Sequence, residues 1–413
     1  MNILFISQHF PPEVGADSGR VSELTKIWAK GNQNVTVLTG YPITPAGNVY
    51  SKYKQIYKKF FYRELVDGVN IVRTWLLAIP NHKSIQRILN YISFCLSSFI
   101  IGIFLSRPNV IIATSPQLLS GLSGWILSFL KRVPFILEIR DLWPESLVGS
   151  GVGTEKSVTY KLLKYLSTFL YKHSDHIIVV TPAFKKFLVK HYRVNSSKIS
   201  VVLNGVDLQV FNPKVSIKGV REKLYLQKEF VISYIGTIGL AHGLETILEA
   251  AGILKVEYPN IKFLIVGDGA QKEVLKIKSQ KEKLPNIKFI TQQSKDKVPP
   301  IINISDVCLV LLKKAQVFKT VIPTKMLEYM ACGKPIILGV QGQALKIMQE
   351  ANSGLSIEPE NSISLAESIV KLFKDESLRS QLGSNGLNYA TKYLSRENTA
   401  IEYLNLINRI VVD

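Results

Sequence analysis

Short apolar runs and amphipathic stretches alternate along almost the whole chain. Asn2–Ser7 (NILFIS), Asn34–Gly40 (NVTVLTG), Val69–Trp75 (VNIVRTW), Asn109–Ser115 (NVIIATS), Pro134–Ile139 (PFILEI), His176–Thr181 (HIIVVT) and Lys198–Leu203 (KISVVL) read as strands. Helical periodicity fills the intervals at Arg20–Lys30, Ile88–Leu105, Gln117–Leu130, Ser157–Lys172 and from Ala183. Near-continuous apolar strands alternating with helices predict a parallel sheet covered on both faces. The turn Asn204–Asp207 (NGVD), followed by a break at Phe211–Pro213, ends this unit. A second alternation then starts, with strands at Phe230–Gly236, Ile261–Gly267, Ile287–Gln292, Asp306–Leu312 and Pro335–Val340 and helices at Leu244–Glu257, after Asp268–Gln271 and near Val298.

The expected fold is α/β, with two doubly wound Rossmann-like domains, 1–205 and 206–384, facing across a cleft. The helical stretch Asn385–Ile410 is expected to cross back to the first domain, making 385–413 a closing segment. In such sheets ligands bind at the carboxyl ends of the strands, so the crevice is the expected site. Two stretches interrupt the rhythm. Tyr41–Asp67 is polar, basic and aromatic, and reads as a membrane-facing loop or a plain surface insertion. Ile88–Leu105 is apolar to the lower limit of a membrane span, but Asn90, Ser93, Ser97 and Ser98 interrupt it. It reads as a buried or membrane-grazing helix.

Composition changes this picture mainly through charge. The formal net charge is +20, and residues 1–205 hold 24 Lys/Arg against 10 Asp/Glu, with all four tryptophans in the same half. A basic, Trp-bearing half suits an anionic membrane surface, with a merely solvated basic face as the alternative. No helix-turn-helix, zinc or RNP-type pattern supports a nucleic-acid partner. Cys95, Cys308 and Cys332 lack metal-ligand spacing and imply a reducing compartment. Met1 leads directly into a strand without a charged leader and long apolar core, so no secretory signal is expected. The expected place is cytoplasmic, peripheral on the inner face of the cell membrane.

The chemistry concentrates in Phe318–Ile337 (FKTVIPTKMLEYMACGKPII). Pro323 suits a helix start, and Gly333 and Pro335 end the helix. Lys325 stands in the first turn, where the helix dipole favours an acid, and a phosphate in front of it resolves the conflict. Glu328, one turn on, suits a ribose diol. Lys and Glu at this spacing describe a nucleotide site; a solvated surface helix is the alternative. The chain has no Asp-x-Asp pair and no His/Cys cluster, so no metal or other cofactor is expected.

Taken with Pro11–Arg20 (PPEVGADSGR), Val201–Pro213 (VVLNGVDLQVFNP), Tyr234–Ala251 (YIGTIGLAHGLETILEAA) and Phe263–Gln271 (FLIVGDGAQ), this segment resembles the retaining GT-B glycosyltransferases of family 4 over nearly the whole chain. Glu138–Ser146 (EIRDLWPES) and Phe318–Ala331 look most like bacterial O-antigen or capsule transferases of L-fucosamine-type sugars. The resemblance implies transfer of a sugar from a nucleoside diphosphate, expected to be UDP, to a polyprenyl-diphosphate-linked saccharide. Glu328 matches the family's ribose-binding glutamate. Thr320 stands where the family has a second acid, and Thr237 and His242 stand where it often has Arg and Lys. Diphosphate charge is then expected to fall on Lys325 and Lys319. Phe318, Lys319, Thr320, Val321 and Ile322 are expected to offer backbone N–H groups to sugar and phosphate. Gly15 matches the small residue that lets first-domain backbone approach the donor. Arg140 and Asp141 occupy the place of a His-Asp pair on the acceptor side, Arg140 facing an acceptor phosphate, with a structural loop pair as the alternative. Two other functions stay open: a same-fold nucleotide-sugar 2-epimerase and a non-catalytic sugar-nucleotide binding protein.

Overall fold

The computed structural model describes residues 1–13, 15–43, 47–79, 84–115, 117–151, 153–226 and 228–412, with only the backbone of 16, 84, 85 and 412. The chain divides into two compact units. The first takes Met1–Pro144, Glu155–Asn204 and Arg396–Asp413, and the second takes Glu145–Thr154 and Gly205–Ser395.

Among the described residues the first unit carries an eight-stranded sheet. Its strands are β1 (Asn2–Ile6), β2 (Asn34–Gly40), β3 (Phe61–Val66), β4 (Val69–Thr74), β5 (Val110–Thr114), β6 (Phe135–Ile139), β7 (His176–Val179) and β8 (Ile199–Val201). They lie in the order β3-β4-β2-β1-β5-β6-β7-β8, all parallel except β3. The second unit has a six-stranded parallel sheet of β9 (Phe230–Ile235), β10 (Ile261–Val266), β11 (Ile287–Ile290), β12 (Val307–Leu311), β13 (Ile336–Gly339) and β14 (Gly354–Ser356), in the order β11-β10-β9-β12-β13-β14. Both are doubly wound, as the alternation predicts. The central strands β1, β5, β6, β9 and β12 are buried over almost every residue, the consequence of helices on both sheet faces. Strand order reverses between β1 and β5 in the first unit, and between β9 and β12 in the second. Those reversals leave the openings where such sheets hold ligands.

Three departures from the sequence pattern have local causes. The polar stretch 41–67 contains strand β3, an antiparallel edge whose residues are mostly exposed. It is pinned by ion pairing rather than by an apolar face: Arg73 Nε lies 2.5 Å from Glu64 Oε1, and Tyr53 donates to the same oxygen at 3.1 Å. Tyr41 and Tyr53 turn inward and are buried, while Phe60, Phe61 and Leu65 stay exposed. The stretch expected as one helix over 385–410 is two, Glu376–Tyr393 and Arg396–Val412. They part because the Val206 N–H bonds the Leu394 carbonyl at 2.7 Å and Ser395 pairs with Val206 as an isolated bridge. The third concerns the tryptophans. Trp28 is wholly buried, donates its indole N–H to the Ala400 carbonyl at 2.8 Å, and meets Tyr403 edge-on. Trp75, Trp125 and Trp143 are half-buried.

The apolar run beginning near Ile88 forms part of helix α2 (Ser84–Phe104), the second helix after α1 (Ala16–Lys30) in this unit. By length and composition α2 is the one described helix able to cross a membrane, and well under half of that stretch is buried. Its polar interruptions are bonded to the neighbouring segments it packs on. Asn90 is buried, accepting from Gln8 at 2.6 Å and donating to the Leu77 carbonyl at 2.8 Å. Ser97 donates to Thr74 and Ser98 to Ser123. The opposite face exposes Ile88, Leu89, Ile92, Leu96, Ile100 and Ile103, a stripe at helical spacing.

Candidate active site

In the second unit the loop after β9 (Gly236–Gly243) and the short helix Thr324–Ala331 share the reversal point. The helix forms because Met326, Leu327, Tyr329, Met330 and Ala331 give it a buried face. It ends at Gly333, whose φ of +65 suits glycine. Pro323 precedes it in an extended conformation, and no side chain caps its amino end. Tyr329 fixes it to the sheet, accepting from the Ile235 N–H at 2.9 Å and donating to the Ile235 carbonyl at 3.2 Å.

Lys325 is therefore not a solvated surface lysine. Its Nζ is buried with no hydrogen-bond partner among the described residues and sits 3.7 Å from the centroid of the Tyr234 ring. Burial brings its pKa down to about 7, with Glu328 acting the other way. His242 closes the same corner, its ring 6.0 Å from Tyr234 and nearly perpendicular, with Nδ1 buried and unpartnered among the described residues. Burial and the neighbouring Lys325 charge push His242 down to about 3, so it is a neutral imidazole. A buried ammonium with no counter-ion bonded to it, at an uncapped helix amino end, suits an anion. Glu328 lies half-buried one turn on.

The remaining donor-side candidates fall into two groups. Thr237 is exposed, and its carbonyl accepts from the Tyr234 hydroxyl at 2.7 Å. Phe318, Lys319 and Thr320 lie in a 3-10 turn, Val317–Thr320, that leads through Val321 and Ile322 into the helix. Phe318 and Ile322 are buried, while Lys319, Thr320 and Val321 are half-buried. Thr320 Oγ1 donates back to the Val317 carbonyl, so its hydroxyl serves the turn. Gly342, with φ of +76, lets this turn pack closely, since a Cβ there would lie 2.0 Å from the Lys319 carbonyl oxygen.

In the first unit the equivalent opening is lined by the loop after β1. His9 Nδ1 lies 2.8 Å from Glu13 Oε2, and Glu13 Oε1 accepts the Ile43 N–H at 2.8 Å. Burial alone lowers the His9 pKa, but the Glu13 and Asp17 carboxylates outweigh it and push it up to about 9. Asp17 is held below the usual carboxylate range, its burial opposed by His9, Arg140 and the Ser18 N–H. Arg140 follows β6, and its Nε and Nη1 are buried without hydrogen bonds among the described residues. Burial lowers its pKa, while Glu138, Asp17 and Asp141 favour its charge. Asp141 is half-buried beside it. Beneath them Arg20 and Glu138 form a buried pair at 2.9 Å. Glu138 also accepts from Thr114, and Arg20 also donates to Asn204. Gly15 precedes α1 and is exposed. Its extended backbone is open to any residue, but a Cβ there would lie 2.7 Å from Asp17 Oδ1.

Sequence reasoning named Lys325, Glu328, His242, Arg140 and Asp141, and missed Tyr234, His9, Glu13 and Asp17. Tyr234 looks like one more core strand residue until Lys325 is folded over it. Glu13 and Asp17 lie in the PPEVGADSGR loop already singled out, and the Glu13–His9 spacing of four was the available signal. Among the described residues no group of three or more His, Cys, Asp or Glu side chains is placed to hold a metal ion.

Two family models match the chain. "Glycosyltransferase Family 4" matches residues 20–210 and "Glycosyl transferases group 1" matches 218–389. A glycosyl transferase of Escherichia coli strain K12 named for colanic acid biosynthesis, WcaI, is 26% identical over 98% of this chain and 99% of its own length. The UDP-Gal:alpha-D-GlcNAc-diphosphoundecaprenol alpha-1,3-galactosyltransferase of Escherichia coli is also 26% identical, over 63% of this chain and 65% of its own length. In overall fold the chain is similar to sucrose-phosphate synthase from Thermosynechococcus elongatus, with a TM-score of 0.77 at 20% identity, covering 100% of this chain and 99% of that one. It is also similar to Anabaena HepE in complex with UDP-glucose, with a TM-score of 0.73 at 16% identity, covering 99% and 100%.

Proposed function

The chain belongs to glycosyltransferase family 4 and is a glycosyltransferase of GT-B fold, and from that premise we propose that it moves a sugar from a nucleoside-diphosphate sugar to a lipid-linked saccharide in bacterial surface polysaccharide synthesis. UDP is the nucleotide favoured, because the galactosyltransferase relative is named for a UDP donor and HepE was solved with UDP-glucose. The first of these is also named for a diphosphoundecaprenol-linked acceptor, which supports the acceptor class. An L-fucosamine-type sugar is the donor suggested by the Glu138–Ser146 and Phe318–Ala331 segments.

The observation that carries this function is the Lys325 ammonium, buried and without a hydrogen-bond partner among the described residues, behind the open amino end of the helix Thr324–Ala331. As the acceptor hydroxyl oxygen bonds the anomeric carbon, the bond from that carbon to the β-phosphate oxygen breaks. Negative charge grows on the leaving diphosphate, where Lys325 and the helix dipole stabilise it without a metal ion. The acceptor proton passes to that phosphate oxygen, and attack from the leaving-group side keeps the anomeric configuration. Glu328 holds the ribose. In the first unit Arg140 takes an acceptor phosphate, its planar fork suited to that shape, and Asp141 supports its charge. The exposed stripe of α2, together with the basic surplus of residues 1–205, rests on the anionic inner face of the cell membrane and brings the enzyme to its acceptor.

The test is to incubate the protein with a panel of nucleotide sugars, with and without a polyprenyl-diphosphate saccharide, and to follow nucleoside diphosphate. Release only with acceptor is expected. Conversion of the sugar without acceptor would point to the epimerase, and no release to a binding protein. Glu328→Ala is expected to weaken nucleotide-sugar binding at least about tenfold, the worth of one charge-assisted contact. Lys325→Ala is expected to cut turnover by about a hundredfold. Unchanged donor turnover in Glu328→Ala would remove the donor-site assignment.

A further inference from the structure

Lys325 has an unusual support. Its Nζ lies over the face of the Tyr234 ring at 3.7 Å from the centroid, close for a cation above an aromatic ring. Tyr234 is completely buried, and its hydroxyl donates to the Thr237 carbonyl at 2.7 Å, which fixes the ring and clamps the loop that follows β9. Gly236 makes the room. A Cβ there would lie 2.8 Å from Nζ and 3.0 Å from Cε of Lys325, and its φ of +147 is a backbone setting that side chains rarely adopt. The groups that face the ammonium are few. Glu328 acts on it from its own helix, Tyr234 from the strand, and His242 from the loop. The imidazole is neutral and the phenol stays protonated, because burial raises its pKa. The ring face therefore supplies what no carboxylate bonded to Nζ supplies.

Building on the donor-site reading above, we propose that Tyr234 is a positioning residue for sugar transfer: its ring seats the Lys325 ammonium, in the space Gly236 leaves, favours its charged form against the cost of burial, and aims it at the diphosphate. A carboxylate in that position would neutralise the lysine and compete with the substrate. An aromatic face stabilises the charge without a carboxylate bonded to Nζ, which leaves donors for phosphate oxygens.

The experiment uses the full chain with 13Cε-labelled lysine, the Lys325 signal being identified by its loss in Lys325→Arg. A lysine methylene stacked on a ring is shifted upfield by the ring current, and its pH titration gives the ammonium's own midpoint. In the unmodified protein an upfield signal with a midpoint near 7 is expected. Tyr234→Phe keeps the ring and is expected to keep both. Tyr234→Leu is expected to lose the upfield shift and to lower the midpoint by about half a unit or more. Because Tyr234→Leu removes a buried ring, its folding is checked by thermal unfolding, and the unmodified and Tyr234→Phe proteins decide the matter without it. A Lys325 signal at the ordinary lysine position, or one lost in Tyr234→Phe, overturns the seat. UDP, GDP and ADP are then added in turn. One of them is expected to raise the midpoint in the unmodified and Tyr234→Phe proteins. If none does while the ring-current shift stands, the donor-site reading fails and Tyr234 is reduced to a packing partner of Lys325.

Discussion

Lys325 shows how a residue proposed for function can cost stability. Its folded pKa of about 7 lies below the ordinary lysine value, so folding disfavours its charged form. The penalty is full below about pH 7 and fades as pH rises toward the ordinary value of 10.5. Lys325→Met is therefore expected to stabilise the protein by about 1 kcal/mol or more at pH 6. The gain should shrink toward pH 10, as measured by urea unfolding across pH. A Lys325→Met protein no more stable than the original at pH 6 would show that the ammonium is solvated. Arg20 is the opposite case. It is buried with Glu138 at 2.9 Å, and Glu138 is held below the usual carboxylate range because Arg20, Arg140 and the Thr114 hydroxyl outweigh its burial. Arg20→Met leaves that carboxylate buried without its ion-pair partner, with Arg140 and Thr114 as its remaining support. The expected loss is about 3–5 kcal/mol, read as a lower urea midpoint, with Glu138→Gln in the same background recovering part of it.

At the scale of elements, the informative one is α2. Its buried face is mixed, with Asn90, Ser97 and Ser98 bonded to neighbouring segments beside Phe94, Cys95 and Ile101, while its exposed face is apolar. Leu96→Glu changes only the exposed face. It is expected to leave thermal stability within about 0.5 kcal/mol while reducing co-sedimentation with phosphatidylglycerol-containing vesicles at low salt severalfold. Binding that is absent in the unmodified protein, or unchanged in Leu96→Glu, would sink the membrane proposal. The periodicity of Ile88–Leu105 already made a membrane-spanning role unfavourable through its polar residues. Which face they occupied could not be read in advance, because that depends on the strands they meet.

At the scale of the whole chain, the first unit is discontinuous in sequence. Trp28, the largest of its wholly buried side chains, bonds the Ala400 carbonyl, and Tyr403, Leu406 and Ile407 complete the same core. Each large apolar side chain removed costs about 1.5–3 kcal/mol, so a chain cut after Ser395 loses most of an ordinary domain's margin. Limited proteolysis of that truncated chain is expected to degrade residues 1–144 and 155–204 and to spare 205–395. Equal resistance of both would show that the last helix is dispensable.

By itself the sequence determined the class of fold and singled out the segment that carries the candidate donor site. Apolar strands alternating with helices leave few arrangements other than parallel sheets covered on both faces, and the turn chemistry around Pro323 and Gly333 marks a helix start and stop locally. Lys325 and Glu328 were legible for the same reason, since both belong to one short element. What only the tertiary structure decided was how distant residues are brought together. The Lys325 seat on Tyr234, 91 positions earlier, the burial of Arg20 with Glu138, and the inward turn of Trp28 all join elements far apart in the chain. A side chain's charge state and role depend on what surrounds it, and the fold supplies those surroundings.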